Sequence, residues 1–297
     1  MSLTRRTALT AVAAGIASPA FAQLDLYKSQ LSLGPGAEFG WATMDPDGHP
    51  GSAINADIRF PMCSSFKWLL AAMVLWRADA GRESLGRRLS VTTADLLEYA
   101  PAAKSALDHA GAPRTEMTVD ALCEGAVTLS DNTCANLLLA TVGGPPALTA
   151  WLRGHGDPAT RLDRIEPAMN YVPVGDPRDT TTPDAMVGDL HRILFGDVLK
   201  PASRKRLMQW LLDCKTGETR LKAGLPAGWR IAQKTGTLNY HPEAKGQRAA
   251  CGDVGVLFPR TGVPILIAAY TAGSTRPQAE VDMWFAGVAR RVTATRH

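Results

Sequence analysis

The chain has 297 residues, 45% hydrophobic and 20% charged, which is the balance of a globular protein with a sizeable core. Its formal net charge of +4 comes with no long basic run and no aromatic residues interleaved with Lys or Arg, so we expect no nucleic-acid-binding surface. Beyond the N-terminal stretch, no apolar run reaches the about 18 residues that a membrane span requires, so none is expected.

The N-terminus has the features of an export signal. Arg5 and Arg6 precede an apolar, Ala-rich stretch, which ends in a small-x-small cleavage pattern at residues 20–22. This pattern predicts a twin-arginine-type signal peptide over residues 1–22, with Gln23 as the first mature residue. The mature protein is therefore expected to be periplasmic or secreted.

The first elements of the mature chain are predicted to be strands. Glu38–Met44 and Ala53–Phe60 are strand-like runs on either side of Asp45-Pro46-Asp47-Gly48, which is a hairpin signal.

Helices are predicted in the middle of the chain. Ser64–Ala78 is apolar almost all round, so it should be a buried central helix. Asp131–Val142 stops at a Gly-Gly-Pro sequence, and Pro183 opens a further helix after the capping residue Thr182.

Strands return near the C-terminus. Trp229–Thr237, Val254–Phe258 and Pro264–Thr271 are apolar or β-branched runs separated by Gly and Pro turns, and Gln278–Thr295 has an amphipathic helical pattern. Strands at both ends and helices between them predict one sheet built from the two chain ends, with a helical lobe inserted. Catalytic groups would lie in the cleft between the lobes.

Ser64-Ser65-Phe66-Lys67 is the only S-x-x-K sequence in the chain. Positions i and i+3 share a helix face, so the Ser64 hydroxyl and the Lys67 amine can meet. A buried or cation-flanked lysine can be neutral and can activate a serine nucleophile. Taken alone, the pattern is equally that of an N-cap serine with a surface lysine.

Two further motifs carry polar groups. Ser130-Asp131-Asn132 precedes a helical run, and it is either a plain capping sequence or a loop that points a hydroxyl and a carboxamide into a cleft. Lys234-Thr235-Gly236-Thr237 ends a predicted strand. It is either a strand edge with a bulge or a site where glycine lets a ligand approach while Lys234 and the threonines bind a carboxylate.

In this order, the three motifs resemble those of penicillin-recognising serine enzymes. Residues 161–179, with Glu166 and Asn170 in an E-x-x-x-N pattern, look like the Ω-loop of class A β-lactamases. The resemblance to this family covers nearly the whole mature chain. It implies an α/β fold, with an antiparallel sheet and flanking helices from residues 23–62 and 214–297, and an inserted all-α lobe over residues 63–213.

The resemblance also implies how a β-lactam ring would be opened. Ser64 would attack the lactam carbonyl, Lys67 would shuttle the proton, and Ser130 would deliver it to the ring nitrogen. Glu166 and Asn170 would hold the water that hydrolyses the acyl-serine. The base that activates Ser64 is left open between Lys67 and Glu166.

Substrate binding is implied for other positions. The backbone N–H groups of Ser64 and Thr237 would form the oxyanion hole. Arg164 and Asp179 would pair across the neck of the Ω-loop. The other binding residues would be Asn132 at the drug's side-chain amide, Tyr99 at the cleft mouth, and Lys234, Thr235, Gly236, Thr237 and Arg220 at its carboxylate.

The expected substrates are penicillins and cephalosporins, and Arg220 with Thr237 adds carbapenems as a hypothesis. No metal or organic cofactor is expected, and the protein is expected to be a monomer.

The stretch 238–252 is longer than in most family members, so it leaves the drug spectrum open. Cys63 lacks its usual disulfide partner because Leu238 stands there, and we expect none of the five cysteines to require a disulfide.

Three other functions compete with this interpretation. A D,D-peptidase would share the three short motifs but lack the deacylating glutamate. A penicillin-binding sensor would carry membrane spans. A Ser-His-Asp esterase would carry G-x-S-x-G, which does not occur in the chain.

Overall fold

A five-stranded antiparallel sheet joins the two ends of the chain in the computed structural model, which describes residues 32–239 and 248–294. The strand order is β2-β1-β9-β8-β7. The five strands are β1 (Glu38–Met44), β2 (Pro50–Ile54), β7 (Arg230–Leu238), β8 (Ala250–Phe258) and β9 (Ile265–Ala272). The sheet built from both chain ends is therefore confirmed.

The first hairpin confirms one strand prediction and corrects another. β1 has the predicted bounds, and the Asp45 carboxylate closes the turn by accepting the backbone N–H groups of Asp47 and His49. The single strand predicted over Ala53–Phe60 is wrong, because β2 ends at Ile54. The next residue, Asn55, has a positive φ of 49° and donates its side-chain amide to the Phe39 carbonyl, so the chain turns away there.

Four short strands lie outside the main sheet, and eight α-helices occur among the described residues. β3 (Phe60–Pro61) pairs with β6 (Thr180–Thr181), and β4 (Arg88–Thr92) pairs with β5 (Arg114–Thr118). The helices are α1 (Phe66–Asp79), α2 (Pro101–Ala110), α3 (Val119–Thr128), α4 (Asn132–Val142), α5 (Gly144–Gly154), α6 (Pro183–Leu194), α7 (Pro201–Leu212) and α8 (Gln278–Thr293).

The predicted caps of two helices are present. Asp131 caps α4 by accepting the Cys134 N–H, and Gly143 ends that helix with a φ of 99°. Thr182 caps α6 by accepting the Ala185 N–H. The predicted central helix is α1, whose first ten residues are all buried, although a short 3₁₀ turn at Cys63–Ser65 precedes it.

The sheet separates two apolar cores because its side chains alternate between its faces. Ala268 and Tyr270 of β9 face the helices between the two chain ends, around α1. Ile267 and Ala269 face α8, where they pack near Trp284. The α/β class with an antiparallel sheet is confirmed, whereas the lobe boundaries stay a prediction. No helix of the described ranges is long and apolar enough to cross a membrane.

All five cysteines lie within the described ranges, where they are buried and unpaired. Burial raises the pKa of the Cys63 thiol well above its usual value.

A pair of buried carboxyl groups lies beneath the loop that follows α5. Asp157 accepts the backbone N–H groups of Ala159 and Thr160, and Asp189 of α6 accepts from Arg192. The Oδ2 atoms of the two acids meet no donor from another described residue. Two carboxyl groups hydrogen-bond to each other only when one is protonated. Burial and the neighbouring Asp157 raise the pKa of Asp189 well above its usual value, so Asp189 is the acid of the pair that protonates first as pH falls.

We expect Asp189→Asn to stabilise the protein at alkaline pH. Because the pKa of folded Asp189 is raised, wild-type stability falls as pH rises from about 4 through that pKa. An asparagine amide donates to Asp157 without needing a proton. Differential scanning calorimetry at pH 8 should show a Tm higher by about 2–4 °C, with a smaller gain at pH 5.

Asp197→Asn is the matched control, because Asp197 is exposed in the loop after α6. An equal Tm change for Asp189→Asn at both pH values would show that no shared proton is involved.

Candidate active site

The Ser64 hydroxyl lies in the 3₁₀ turn at the start of α1, one helical turn before Lys67. The Lys67 ammonium donates to Ser64 Oγ over 2.9 Å and to the Ser130 carbonyl over 2.7 Å, and it also donates to the Asn132 side chain. Burial lowers the pKa of Lys67, while the Glu166 carboxylate opposes that shift. The motifs S-x-x-K and S-D-N therefore meet at one buried amine.

The Glu166 carboxylate lies against the same two groups. Its Oε1 is 3.2 Å from Lys67 Nζ and 3.4 Å from Ser64 Oγ, and its side chain is fully buried. Asn170 donates its amide to Glu166 Oε2 over 2.7 Å. The loop of residues 161–179 thus brings its acid and its amide into contact beside the serine.

Asn136 of α4 holds the backbone of Glu166. Its side chain donates to the Glu166 carbonyl over 2.9 Å and accepts the Glu166 N–H over 3.1 Å. The sequence analysis missed this residue. Its position four residues after Asn132 on a predicted helix, hence on the same face, is the signal that points to it.

Asp179 joins the two ends of the loop formed by residues 161–179. One carboxylate oxygen accepts the backbone N–H groups of Asp163 and Arg164, and the other accepts from Arg164 Nε over 2.6 Å. Asp163 returns a hydrogen bond by accepting the Asp179 N–H. The predicted Arg164–Asp179 pair is present, and it joins the two ends of the loop that carries Glu166.

Lys234 of β7 lies on the other side of Ser130. Its ammonium donates to Ser130 Oγ over 2.9 Å and to the Thr235 carbonyl over 2.7 Å. Complete burial lowers the pKa of Lys234 to about 7. Two buried amines, Lys67 and Lys234, therefore contact opposite ends of the same serine residue.

Gly236 lets β7 pack directly against the 3₁₀ turn that carries Ser64. A Cβ atom at this position would lie 2.3 Å from the Met62 carbonyl oxygen and 3.0 Å from the Ser65 nitrogen. Backbone atoms cannot move aside as a flexible side chain can. The chain's own backbone therefore makes a close contact at this glycine, and the approach of a ligand to it stays a prediction.

Arg220 lies beside the end of β7 and is buried. Its guanidinium donates to the Gly236 and Gly252 carbonyls and, over 2.7 Å, to Thr237 Oγ1. Its Nε donates to the Asp282 carboxylate of α8 over 2.9 Å. Arg220 therefore lies in contact with Thr237, the residue with which it was expected to bind the drug's carboxylate.

A cavity of about 380 Å³ lies in front of these groups. Lys67, Lys234 and Gly236 lie behind its wall. The predicted residues on its wall are Ser64, Tyr99, Ser130, Asn132, Glu166, Asn170, Arg220, Thr235 and Thr237. The wall also contains Thr216, Gly217, Thr219, Asn239 and Asp282, which no sequence pattern marked.

Comparisons with known proteins agree with this geometry. Residues 27–295 match the family model of the β-lactamase enzyme family. The chain is 45% identical over 233 residues to β-lactamase L2 of Stenotrophomonas maltophilia, which covers 78% of this chain and 72% of that protein.

Solved structures show the same relationship. A class A β-lactamase of the last common ancestor of Gram-negative bacteria has a TM-score of 0.83 and 46% identity, covering 94% of this chain and 100% of that one. A β-lactamase from Xanthomonas campestris pv. campestris has a TM-score of 0.81 and 39% identity, covering 92% and 96%. The chain therefore belongs to the class A β-lactamases, serine hydrolases that open β-lactams through an acyl-serine intermediate and confer resistance to these drugs.

Proposed function

We propose that Ser64 is the nucleophile of this β-lactamase and that Glu166 activates the water that releases the product. The observation that carries the proposal is the position of Glu166, whose carboxylate lies 3.4 Å from Ser64 Oγ while Asn170 holds its other oxygen. A D,D-peptidase would lack an acid at this position, so the contact favours turnover over a long-lived acyl-enzyme.

Acylation requires that Ser64 lose its proton as it attacks the lactam carbonyl. Lys67 and Glu166 both lie within reach of Ser64 Oγ, and the lowered pKa of Lys67 makes its neutral form more accessible. Ser130 then donates a proton to the departing ring nitrogen. Lys234 can replace that proton because it contacts Ser130 Oγ directly. We assign the backbone N–H groups of Ser64 and Thr237 as the donors that stabilise the oxyanion formed from the lactam carbonyl.

Deacylation is assigned to a water between Glu166 and Asn170. The Asn170 Oδ1 atom is buried and accepts no hydrogen bond from any described residue. A buried acceptor without a protein donor is commonly satisfied by water. That water would be adjacent to Glu166 Oε2, which Asn170 Nδ2 already contacts.

Substrate recognition is assigned to the cavity wall. Lys234, Thr235, Thr237 and Arg220 supply cations and hydroxyls for the drug's carboxylate. Asn132 would bind the side-chain amide, and Tyr99, with half its surface exposed, would form the outer wall. Penicillins and cephalosporins are the proposed substrates, and Arg220 beside Thr237 extends the proposal to carbapenems. Unmeasurable hydrolysis of a carbapenem by purified protein would remove that extension.

We further propose that the mature protein is an exported monomer with a cleft between an α/β lobe, residues 23–62 and 214–297, and an all-α lobe, residues 63–213. The N-terminal pattern supports export by the twin-arginine route, and residues 1–22 lie outside the described ranges. Of the long stretch 238–252, residues 240–247 also lie outside them.

The Glu166→Ala variant tests the proposed function. We expect benzylpenicillin to acylate it without release, because loss of a general base costs about 10²–10⁴-fold in the step it serves. Mass spectrometry should show a stable mass increase on Ser64.

The Ser64→Ala variant is the control and should show no mass increase. Turnover of benzylpenicillin by Glu166→Ala at the wild-type rate would refute the role given to Glu166.

Variants at Asn136 should impair the same step more mildly. Asn136→Ala removes both hydrogen bonds to the Glu166 backbone, each contributing about 1 kcal/mol, so deacylation should slow by roughly tenfold or more. Asn136→Asp keeps the acceptor and loses the donor, so its effect should be intermediate. Stopped-flow separation of acylation from deacylation is the measurement, and equal slowing of both steps would contradict this role.

The Lys234 ammonium should make the KM for a carboxylate-bearing cephalosporin depend on pH. Its pKa of about 7 means that the cation predominates below pH 7 and is lost above it, so KM should rise between pH 6 and 9. In Lys234→Arg the charge persists over this range, and KM should change less with pH. An identical KM profile for both enzymes would assign the titration to another group.

A further inference from the structure

A buried carboxyl group lies behind the carboxylate-binding end of β7 and takes no part in the chemistry described above. Asp253 of β8 has no exposed surface and is the direct cross-strand neighbour of Thr235. Directly paired residues of adjacent strands project from the same face of a sheet. Asp253 and Thr235 therefore share the face that α8 covers, where Leu221 and Leu257 are also buried.

Asp253 makes one hydrogen bond to another part of the chain. Its Oδ2 accepts the backbone N–H of Leu221 over 3.1 Å, and its Oδ1 meets no donor from the described residues. Burial raises the pKa of Asp253 to about 7, against the opposing charge of Arg220. The carboxyl is thus in part neutral near pH 7, so the contact with Leu221 does not depend on a full charge.

Leu221 directly follows Arg220, the cation that reaches the end of β7. The 3₁₀ turn Leu221–Gly224 begins there. At the other end of that turn, a Cβ on Gly224 would lie 2.0 Å from the Ala286 carbonyl oxygen of α8, so the turn is packed tightly against the helix. Asp253 and α8 therefore fix the two ends of the segment that starts next to Arg220.

We propose that Asp253 is a positioning residue for substrate binding: by accepting the Leu221 N–H it fixes the backbone of Arg220, so that the guanidinium reaches Thr237 and a substrate carboxylate. The inference rests on the proposed function of this cavity. Asp282 has a different role, because it accepts a hydrogen bond from the guanidinium itself, through Arg220 Nε. Asp253 acts on the main chain from which that side chain extends.

The test compares three variants on one cephalosporin and on the methyl ester of its carboxylate. Asp253→Leu keeps the branched outline of the side chain but has no acceptor, so KM for the free acid should rise about tenfold with little change in kcat. KM for the ester should not change, because the ester lacks the anion. Asp253→Asn keeps an acceptor for Leu221 and should restore KM to within about twofold of wild type.

Arg220→Ala should raise the same KM, and the double variant Asp253→Leu/Arg220→Ala should be no worse than Arg220→Ala alone. Equal KM increases for acid and ester, failure of Asp253→Asn to restore KM, or additive effects in the double variant would each overturn the inference. If Asp253→Leu does not fold, as judged by its Tm, Asp253→Ser takes its place. Its short side chain should not reach Leu221, so its KM for the free acid should exceed that of Asp253→Asn, and equal KM values would overturn the inference. Absence of hydrolysis by the wild type would instead refute the proposed function, and the inference with it.

Discussion

The buried ammonium of Lys67 is the constraint on which the site depends. A charge without solvent is costly unless protein groups replace its hydration. The replacements come from three parts of the chain: Ser64 in the turn before α1, Asn132 and the Ser130 carbonyl after α3, and Glu166 from the loop of residues 161–179. Satisfying one amine therefore assembles the three segments that the proposed reaction uses.

Because Glu166 must contact Lys67, the loop of residues 161–179 has to be held in place by further hydrogen bonds. Glu166 must stay within contact of Lys67 and Ser64, yet it lies in a segment of little regular structure. Asp179 ties the loop ends together, and Asn136 holds the backbone at Glu166 itself. Besides the Arg164–Asp179 ion pair, short side chains hold the main chain on both sides of the acid: Asp179 accepts the Asp163 and Arg164 N–H groups, and Asn136 accepts the Glu166 N–H. Short side chains lose little conformational entropy when they are held in place.

The sequence analysis predicted what depends on local spacing. The Ser64–Lys67 contact follows from helix geometry, and the caps of α4 and α6 follow from Asp131 and Thr182. The motif order then indicated a family whose fold brings distant segments together.

Contacts set by three-dimensional packing alone were not predictable in this way. Asp253 contacts the Leu221 N–H from a strand and Asp282 contacts the Arg220 side chain from a helix, and no spacing in the sequence marks either residue. The Ala53–Phe60 error has the same origin. A run of apolar and polar residues cannot show that Phe60 finds its partner at Thr181, more than a hundred residues later.

The contact between Gly236 and the Met62 carbonyl has a consequence for how such an enzyme can change its substrate range. At Gly236 main chain is packed on main chain, so any side chain introduced at this position would displace the turn that carries Ser64. Adaptation to new drugs is left to the rim, where Tyr99 is half exposed and Thr237 and Asn239 line the opening. The architecture separates a tightly packed centre around Ser64 from a more exposed border.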